Sequence, residues 1–446
     1  MKKLGFLLLL SAWAFTSPAQ TVAEKLDTYF TASLKADVFN GSVLIMQNGQ
    51  PLLSKGYGVK NFDTKMPADA NTIYQIGSVT KQFTSTIILK LAEQKKLALT
   101  DKLSKYFPSF ANGDKITIEH LLTHTSGIWN YTRDEKFMSN GVETPHSEEE
   151  MIRLFKDKPL DFEPGSKYSY SNSGYMMLGY IIEKVTGKKY ENVVREQIFQ
   201  PLQMTHSGFD FTHLSSPDKA TGYRSITQVA AIKSVIVDSS VSFSAGALYT
   251  TTGDLYKWDQ SLSTNKILKK ESLSNAFTPR KDKYGLGWMI DTFAGRNIIT
   301  HDGGIHGFLS SNTIFPNEHI SITLLSNANS TKMGDINGAV FAILFDKPYK
   351  LPELNTEVTL NSTQLQQYVG VYELSPVFKI TVTVKDGKIF GQATGQQPFE
   401  MFAKKDNLFF LKVVDAQVEF FKNAEGEVEK MVLHQNGQDI PGKKIN

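Results

Sequence analysis

The stretch Gln75-Ile76-Gly77-Ser78-Val79-Thr80-Lys81-Gln82-Phe83 decides how this chain is read, because a serine opens a helical pattern and a lysine follows three places later. Phe83, Ile87, Ile88, Leu91 and Ala92 recur at three- and four-residue spacing, which predicts an amphipathic helix entered near Gly77 or Ser78. Positions i and i+3 share a helical face, about 5–6 Å apart at Cβ, so the Lys81 amine can reach the Ser78 hydroxyl. A serine hydroxyl is a weak nucleophile until a neighbour takes its proton, and a lysine of lowered pKa can do so. The helix N-terminus favours the oxyanion that forms when Ser78 attacks a carbonyl. Ser-x-x-Lys also occurs at Ser216-Pro217-Asp218-Lys219 and Ser263-Thr264-Asn265-Lys266. The first falls in a polar, Pro-containing loop and the second in a Ser/Thr/Asn-rich connection, so Ser78 is the candidate nucleophile.

Met1 to Ala19 carries Lys2 and Lys3, an apolar run from Leu4, then Ser17-Pro18-Ala19, the pattern of a secretory signal peptide. Its apolar core is shorter than the roughly 20 residues that span a bilayer, and no other stretch is long and apolar enough. A periplasmic or secreted protein, with no stable membrane span after signal cleavage, is the expectation. The chain has no cysteine, which excludes disulfides, thiolate metal sites and a catalytic thiol. Removing Lys2 and Lys3 takes the formal charge from +3 to +1, and no basic stripe with interleaved aromatics appears, so nucleic acid is excluded as a partner.

Ala23 to Leu34 reads as a helix, and Ser42–Gln47 meets Pro51–Lys55 across Asn48-Gly49, a strong hairpin signal. From Leu97 to Tyr223 the pattern is helical and loop-rich, with the clearest helix over Leu178–Val185 ending at Gly187. Strands return at Leu286–Ile290, Asn297–Thr300, Leu309–Phe315 and Ile320–Leu325, before a helix at Met333–Leu344. The expected fold class is α/β (α+β): an antiparallel sheet flanked by helices over 20–350, with a helical insertion at about 97–235. Past Leu351-Pro352-Glu353, short alternating runs at Phe378–Val384, Lys388–Phe390, Leu408–Val413, Val418–Phe421 and Val428–His434 predict a C-terminal all-β accessory domain, 356–446, whose aromatics read as core.

Two later stretches carry chemistry. In Glu163-Pro164-Gly165-Ser166-Lys167-Tyr168-Ser169-Tyr170-Ser171-Asn172, turn residues place Tyr170 and Asn172 in a loop before a helix. Nearby cations are expected to lower the Tyr170 phenol from its usual value near 10, fitting it to relay protons. Tyr190-Glu191-Asn192 has the same spacing inside a charged helical segment. His301-Asp302-Gly303-Gly304-Ile305-His306-Gly307 follows a predicted strand, and its glycines allow close backbone approach to a ligand. His206-Ser207-Gly208 repeats the spacing with no strand before it.

The order Ser78-x-x-Lys81, Tyr170-x-Asn172, His301-x-Gly303 resembles the serine β-lactamase and penicillin-recognising enzyme family, on its class C branch. The resemblance extends over Ala23 to Leu344 and takes in Leu121-Leu122-Thr123-His124-Thr125-Ser126-Gly127, Pro164-Gly165, Ser244-Ala245-Gly246 and Asp254. It implies an α/β domain beside a helical one, with the site between them and a small β-barrel-like domain appended. It also implies Ser78 as acylated nucleophile, Lys81 as its base and Tyr170 as acid/base. Asn172 would bind Lys81 or the substrate carbonyl, and the N–H groups of Ser78 and Gly304 would form the oxyanion hole. His301-Asp302-Gly303 stands where class C β-lactamases carry Lys-Thr-Gly, so a histidine mostly neutral at pH 7 would face the substrate carboxylate. That trait resembles the D-peptidase, D-aminopeptidase and esterase members.

The expected function is therefore an exported serine hydrolase acting on a small-molecule or peptide substrate, an amide, ester or β-lactam, without metal or cofactor. A penicillin or peptidoglycan-fragment sensor that acylates without rapid turnover is the alternative. A metallohydrolase is suggested only by His120-x-x-x-His124, which lacks the glutamate of His-Glu-x-x-His.

Overall fold

The computed structural model describes residues 20–353, 357–411, 416–435 and 438–445. The expected leader, 1–19, and Val413 lie outside the described residues.

Asn48 and Gly49 adopt φ of 51° and 78°, closing a hairpin of strands Gly41–Gln47 and Gln50–Tyr57. This N-terminal hairpin joins strands from the far end of the domain: Gly41–Gln47 pairs antiparallel with Ile320–Ser326, from Gly41 opposite Ser326 to Gln47 opposite Ile320. The sheet then continues through Phe308–Phe315 and Arg296–Ile305 to Met289–Phe293. All six strands are antiparallel to their neighbours. Alternation along Ile320–Ser326 divides the core, with Ile320, Ile322 and Leu324 on one face and Leu325 on the other.

The first face is covered by two helices. Val22–Lys35 starts on a capping box, in which the Thr21 hydroxyl accepts from the Glu24 N–H and Glu24 accepts from the Thr21 N–H. Met333–Leu344 lies beside it over the same cluster. The second face carries the helix Thr80–Glu93 and a larger core extending through Asn172–Thr186, Ser239–Gly246 and Thr252–Thr264. The helical layer thus runs on to Ala276, beyond the 97–235 span expected. Asp259 is buried where Thr252–Thr264 meets the sheet; its carboxyl accepts from Asn312 Nδ2 at 2.6 Å and from the Ser321 hydroxyl, and burial pushes its pKa up to about 7.

The C-terminal segment forms a closed antiparallel barrel of eight strands from Gly370–Ser375 to Gln438–Lys444. Three strands, Gly370–Ser375, Phe399–Ala403 and Gln438–Lys444, are additional to the runs predicted. Tyr368, Tyr372, Phe409, Phe420 and Met431 fill the interior, as the bore of an eight-stranded barrel allows. The barrel meets the larger domain on the side of Met333–Leu344, around a cavity of about 670 Å³ lined by Gly338, Ala342, Tyr349, Phe410 and Gln417. That is the sheet face opposite the Ser78 helix.

Candidate active site

Ser78 sits in a 3-10 turn, Gly77–Val79, that feeds the helix Thr80–Glu93. Gly77 takes a left-handed φ of 47°, and a Cβ there would come within 2.8 Å of the Gly304 nitrogen, so only glycine serves at this crossing. The helix is not amphipathic as the periodicity predicted. Thr80–Leu89 and Leu91 are all buried, because the sheet covers one flank and the helical layer the other.

Lys81 is fully enclosed and bonds three oxygens: Ser78 Oγ at 3.0 Å, Asn172 Oδ1 at 2.8 Å and the Ala245 carbonyl at 2.8 Å. Burial holds its amine well below the usual lysine value. A neutral amine has two N–H groups and one lone pair. Asn172 and Ala245 can only accept from it, which leaves the lone pair for the Ser78 hydroxyl.

The two acceptors arrive by different local devices. Asn172 opens the helix Asn172–Thr186, whose N-cap Ser171 accepts from the Gly174 N–H; its own N–H donates to Asn130 Oδ1 at 3.2 Å and its Nδ2 to Thr132 Oγ1 at 3.4 Å. The Ala245 carbonyl is aimed by a break in Ser239–Gly246 at Phe243, where φ is 37° and ψ −133°. The preceding carbonyl, of Ser244, is bound by Thr84 Oγ1 at 2.6 Å, and Gly179 supplies the bare backbone against which Ser244 packs.

Tyr170 stands over Lys81, with its ring centroid 4.8 Å from Nζ. Its enclosed hydroxyl adjoins Ser78 and completes no hydrogen bond. Burial pushes the phenol up, opposed only in part by Ser78, so the lowered pKa expected from nearby cations is overturned: the neutral phenol is the resting form.

His301 also departs from expectation. The strand does not end before it but runs to Ile305, and beyond Thr300 the neighbour Met289–Phe293 no longer pairs, so His301–Ile305 presents an open edge to the Ser78 turn. Within that edge the His301 ring is buried. Nδ1–H donates to the Asp302 carbonyl at 2.6 Å and Nε2 accepts from the Tyr284 hydroxyl at 2.9 Å. Burial is the largest cause that pushes its pKa down to about 3. His301 therefore does not titrate near neutrality, and it is not among the residues that wall the Ser78 cavity. Gly303 is equally internal, since a Cβ there would collide with the Ile76 carbonyl at 2.0 Å. Gly304, by contrast, lines a cavity of about 420 Å³ together with Ser78 and Asn172.

The structure thus gathers Ser78, Lys81, Tyr170, Asn172 and Gly304, with His301 and Gly303 as packing behind them. The competing motifs are engaged elsewhere. Lys219 bonds the Thr212 carbonyl, and Ser263 lies inside the helix Thr252–Thr264, not in a connection, with its hydroxyl on the Gln260 carbonyl. Tyr190 is buried against Thr84, and the His206 N–H binds Asp254. His120 and His124 each accept a backbone N–H at Nδ1, from Thr117 and Ser171.

The residues alone marked His124 only as half of the pattern His120-x-x-x-His124, and the structure gives it a different place. It adopts a left-handed φ of 56°, and it holds the chain on both sides of Tyr170: Ser169 N–H donates to its carbonyl at 2.9 Å and Ser171 N–H to its Nδ1 at 3.1 Å. Its ring lies 4.2 Å from that of Tyr170 and within 6 Å of Tyr168, Tyr175 and Tyr284. The motif Leu121–Gly127 marked the place but not the contact. Tyr284, in an irregular segment, gave no signal.

Residues 20–345 match the Beta-lactamase family model, and 354–444 match a domain of unknown function, DUF3471. The chain is 32% identical over 323 residues to the putative penicillin-binding protein PbpX of Bacillus subtilis, covering 72% of this chain and 78% of that one. Penicillin-binding protein 4* of the same organism is 27% identical over 449 residues, covering 94% and 98%. Among solved structures, the octameric penicillin-binding protein homologue from Pyrococcus abyssi is 25% identical, with a TM-score of 0.63 over 94% of this chain and 99% of that one. The D-amino acid amidase from Ochrobactrum anthropi SV3, 21% identical, shares the fold of the larger domain, with a TM-score of 0.63 over 73% and 98%. Matched across its entire sheet-and-helix domain and more than 30% identical to a relative over most of both chains, this protein belongs to the Beta-lactamase family.

Proposed function

We propose that the protein is an exported serine hydrolase that cleaves a small amide or ester through an acyl-enzyme on Ser78. The observation that carries this is the enclosed Lys81 amine, bonded to Ser78 and to two oxygens that can only accept. Export is inferred from the pattern of Met1 to Ala19.

In acylation, Ser78 Oγ bonds the substrate carbonyl carbon and its proton passes to Lys81 Nζ. The oxyanion lies between the Ser78 N–H and the Gly304 N–H on the open strand edge. As the carbon–leaving-group bond breaks, Tyr170 gives its phenolic proton to the leaving nitrogen or oxygen, and Lys81 returns a proton to Tyr170. Both groups end neutral, as they began. In deacylation, water attacks the acyl carbon and its proton moves to Lys81, Tyr170 gives its phenolic proton to the departing Ser78 Oγ, and Lys81 returns a proton to Tyr170. A phenol raised by burial suits this relay, because it is protonated at the start of each step.

The test is intact-protein mass spectrometry after a fluorophosphonate, followed by turnover on D-amino-acid amides, esters and a β-lactam. Ser78→Ala should abolish labelling, whereas Ser216→Ala and Ser263→Ala retain it. Continued labelling of Ser78→Ala would sink the mechanism. Labelling of the native protein with no turnover on any substrate class would replace the hydrolase by a sensor.

A further inference from the structure

Four of the ten exposed large apolar side chains among the described residues, Val229, Ile232, Val235 and Ile236, fall within eight residues, with Val229 72% exposed. Clustered exposed apolar surface marks a contact site far more often than scattered residues do. The cluster sits on a small hairpin, Tyr223–Ile226 with Ala231–Lys233, and on the strap that follows it. The hairpin is rooted by Tyr223 and Ile226 in a cluster with Ala328.

The course of the strap ties this patch to Ser78. Ser234 packs on Gly307, next to the cavity-lining His306, and its N–H donates to the Gly222 carbonyl at 3.0 Å. Four residues later, Asp238 N–H donates to the Val142 carbonyl at 2.8 Å. Val235 and Ile236 are the exposed part of the strap between these two pinned ends. Val237, the next residue, is buried and lines the cavity itself, facing a wall that includes Met138, Val241 and Ile305.

Among the described residues that line the cavity, none is Asp, Glu, Lys or Arg. Its one histidine, His306, is pushed further toward the neutral form by burial and by the Arg224 charge. An uncharged cavity opening onto an apolar strap suits an extended apolar group that enters at Ser78 and leaves across Val235 and Ile236.

We infer that the substrate carries an uncharged, apolar chain of several methylenes on its acyl or leaving group, which lies along the Ser234–Val237 strap. This rests on the serine-hydrolase proposal above. Continuity with the Ser78 cavity favours the substrate chain over a second copy of the protein or a membrane surface as the occupant.

The experiment measures the second-order rate of Ser78 labelling by a series of alkyl fluorophosphonates, methyl to octyl, so it needs no knowledge of the natural leaving group. A fully buried methylene is worth roughly fourfold in rate, and a half-covered one on an open rim about twofold. Four added methylenes from butyl to octyl are therefore expected to give roughly a sixteenfold gain. The exposed pair Val235→Ser/Ile236→Ser should remove most of that gain while leaving the methyl reagent unchanged. A flat series in native protein overturns the inference, although methyl labelling still upholds the nucleophile. No methyl labelling would strike both. A variant that loses self-association or vesicle binding while keeping the native chain-length profile also overturns it, in favour of those occupants.

Discussion

Replacing Asp259 by asparagine tests whether one buried acid governs the pH dependence of stability in the larger domain. Asp259 is 5% exposed, and its carboxyl, pushed up to about 7, faces only the Asn312 amide and the Ser321 hydroxyl. In the unfolded chain an aspartate titrates near 3.9. Between those two values the native protein holds a proton that the unfolded chain releases, so the acid's contribution falls as pH rises through the window and levels off above about 7. Linkage over pH 4.5 to 8 gives a loss of about 3 kcal/mol. Asp259→Asn cannot ionise and keeps a group able to bond both neighbours. Urea unfolding of both proteins across that range, followed by tryptophan fluorescence, should show the native protein losing about 3 kcal/mol relative to the variant as pH rises, with equal denaturant slopes. Parallel pH profiles would refute the reasoning, because they would mean that Asp259 is ionised and stably paired at every pH.

Deleting residues 353–446 should leave Ser78 labelling within about twofold, since the barrel has its own filled core and joins the sheet on the face opposite Ser78; a truncated protein that keeps its circular dichroism but cannot be labelled would show that the barrel shapes the site. His124→Asn retains an oxygen for the Ser171 N–H but removes the ring packed at a tilt against Tyr170. Turnover should fall roughly tenfold, the worth of about 1.4 kcal/mol of ring packing, with melting temperature nearly unchanged; native turnover in the folded variant would release Tyr170 from dependence on that ring.

Much of the sheet was legible because its determinants are local. Asn48-Gly49 fixes a turn, and Met333–Leu344 carries its period over twelve residues. The barrel strand Gln438–Lys444 escaped, since a segment containing Pro441 and Gly442 becomes a strand only by pairing with Val428–Gln435. In the site, spacing paired Ser78 with Lys81, because a short motif on a helix reports its own geometry, whereas the meeting of that pair with Tyr170 and Asn172 was implied only by the family resemblance. It could not reveal the Ala245 carbonyl, since a backbone acceptor aimed by a strained Phe243 leaves no mark in residue type. Nor could it reveal the protonation of Tyr170 and His301. Their pKa directions come from burial, which depends on the whole fold.

The three oxygens around Lys81 come from the Ser78 turn, the start of Asn172–Thr186 and the broken helix Ser239–Gly246, stretches separated by up to 164 positions along the chain. Before those stretches meet, Lys81 is an ordinary hydrated cation and Ser78 an ordinary alcohol. Chemical reactivity is then the last thing the chain acquires, arriving only as the layers close. On the mechanism proposed for Ser78, folding itself is the activation step.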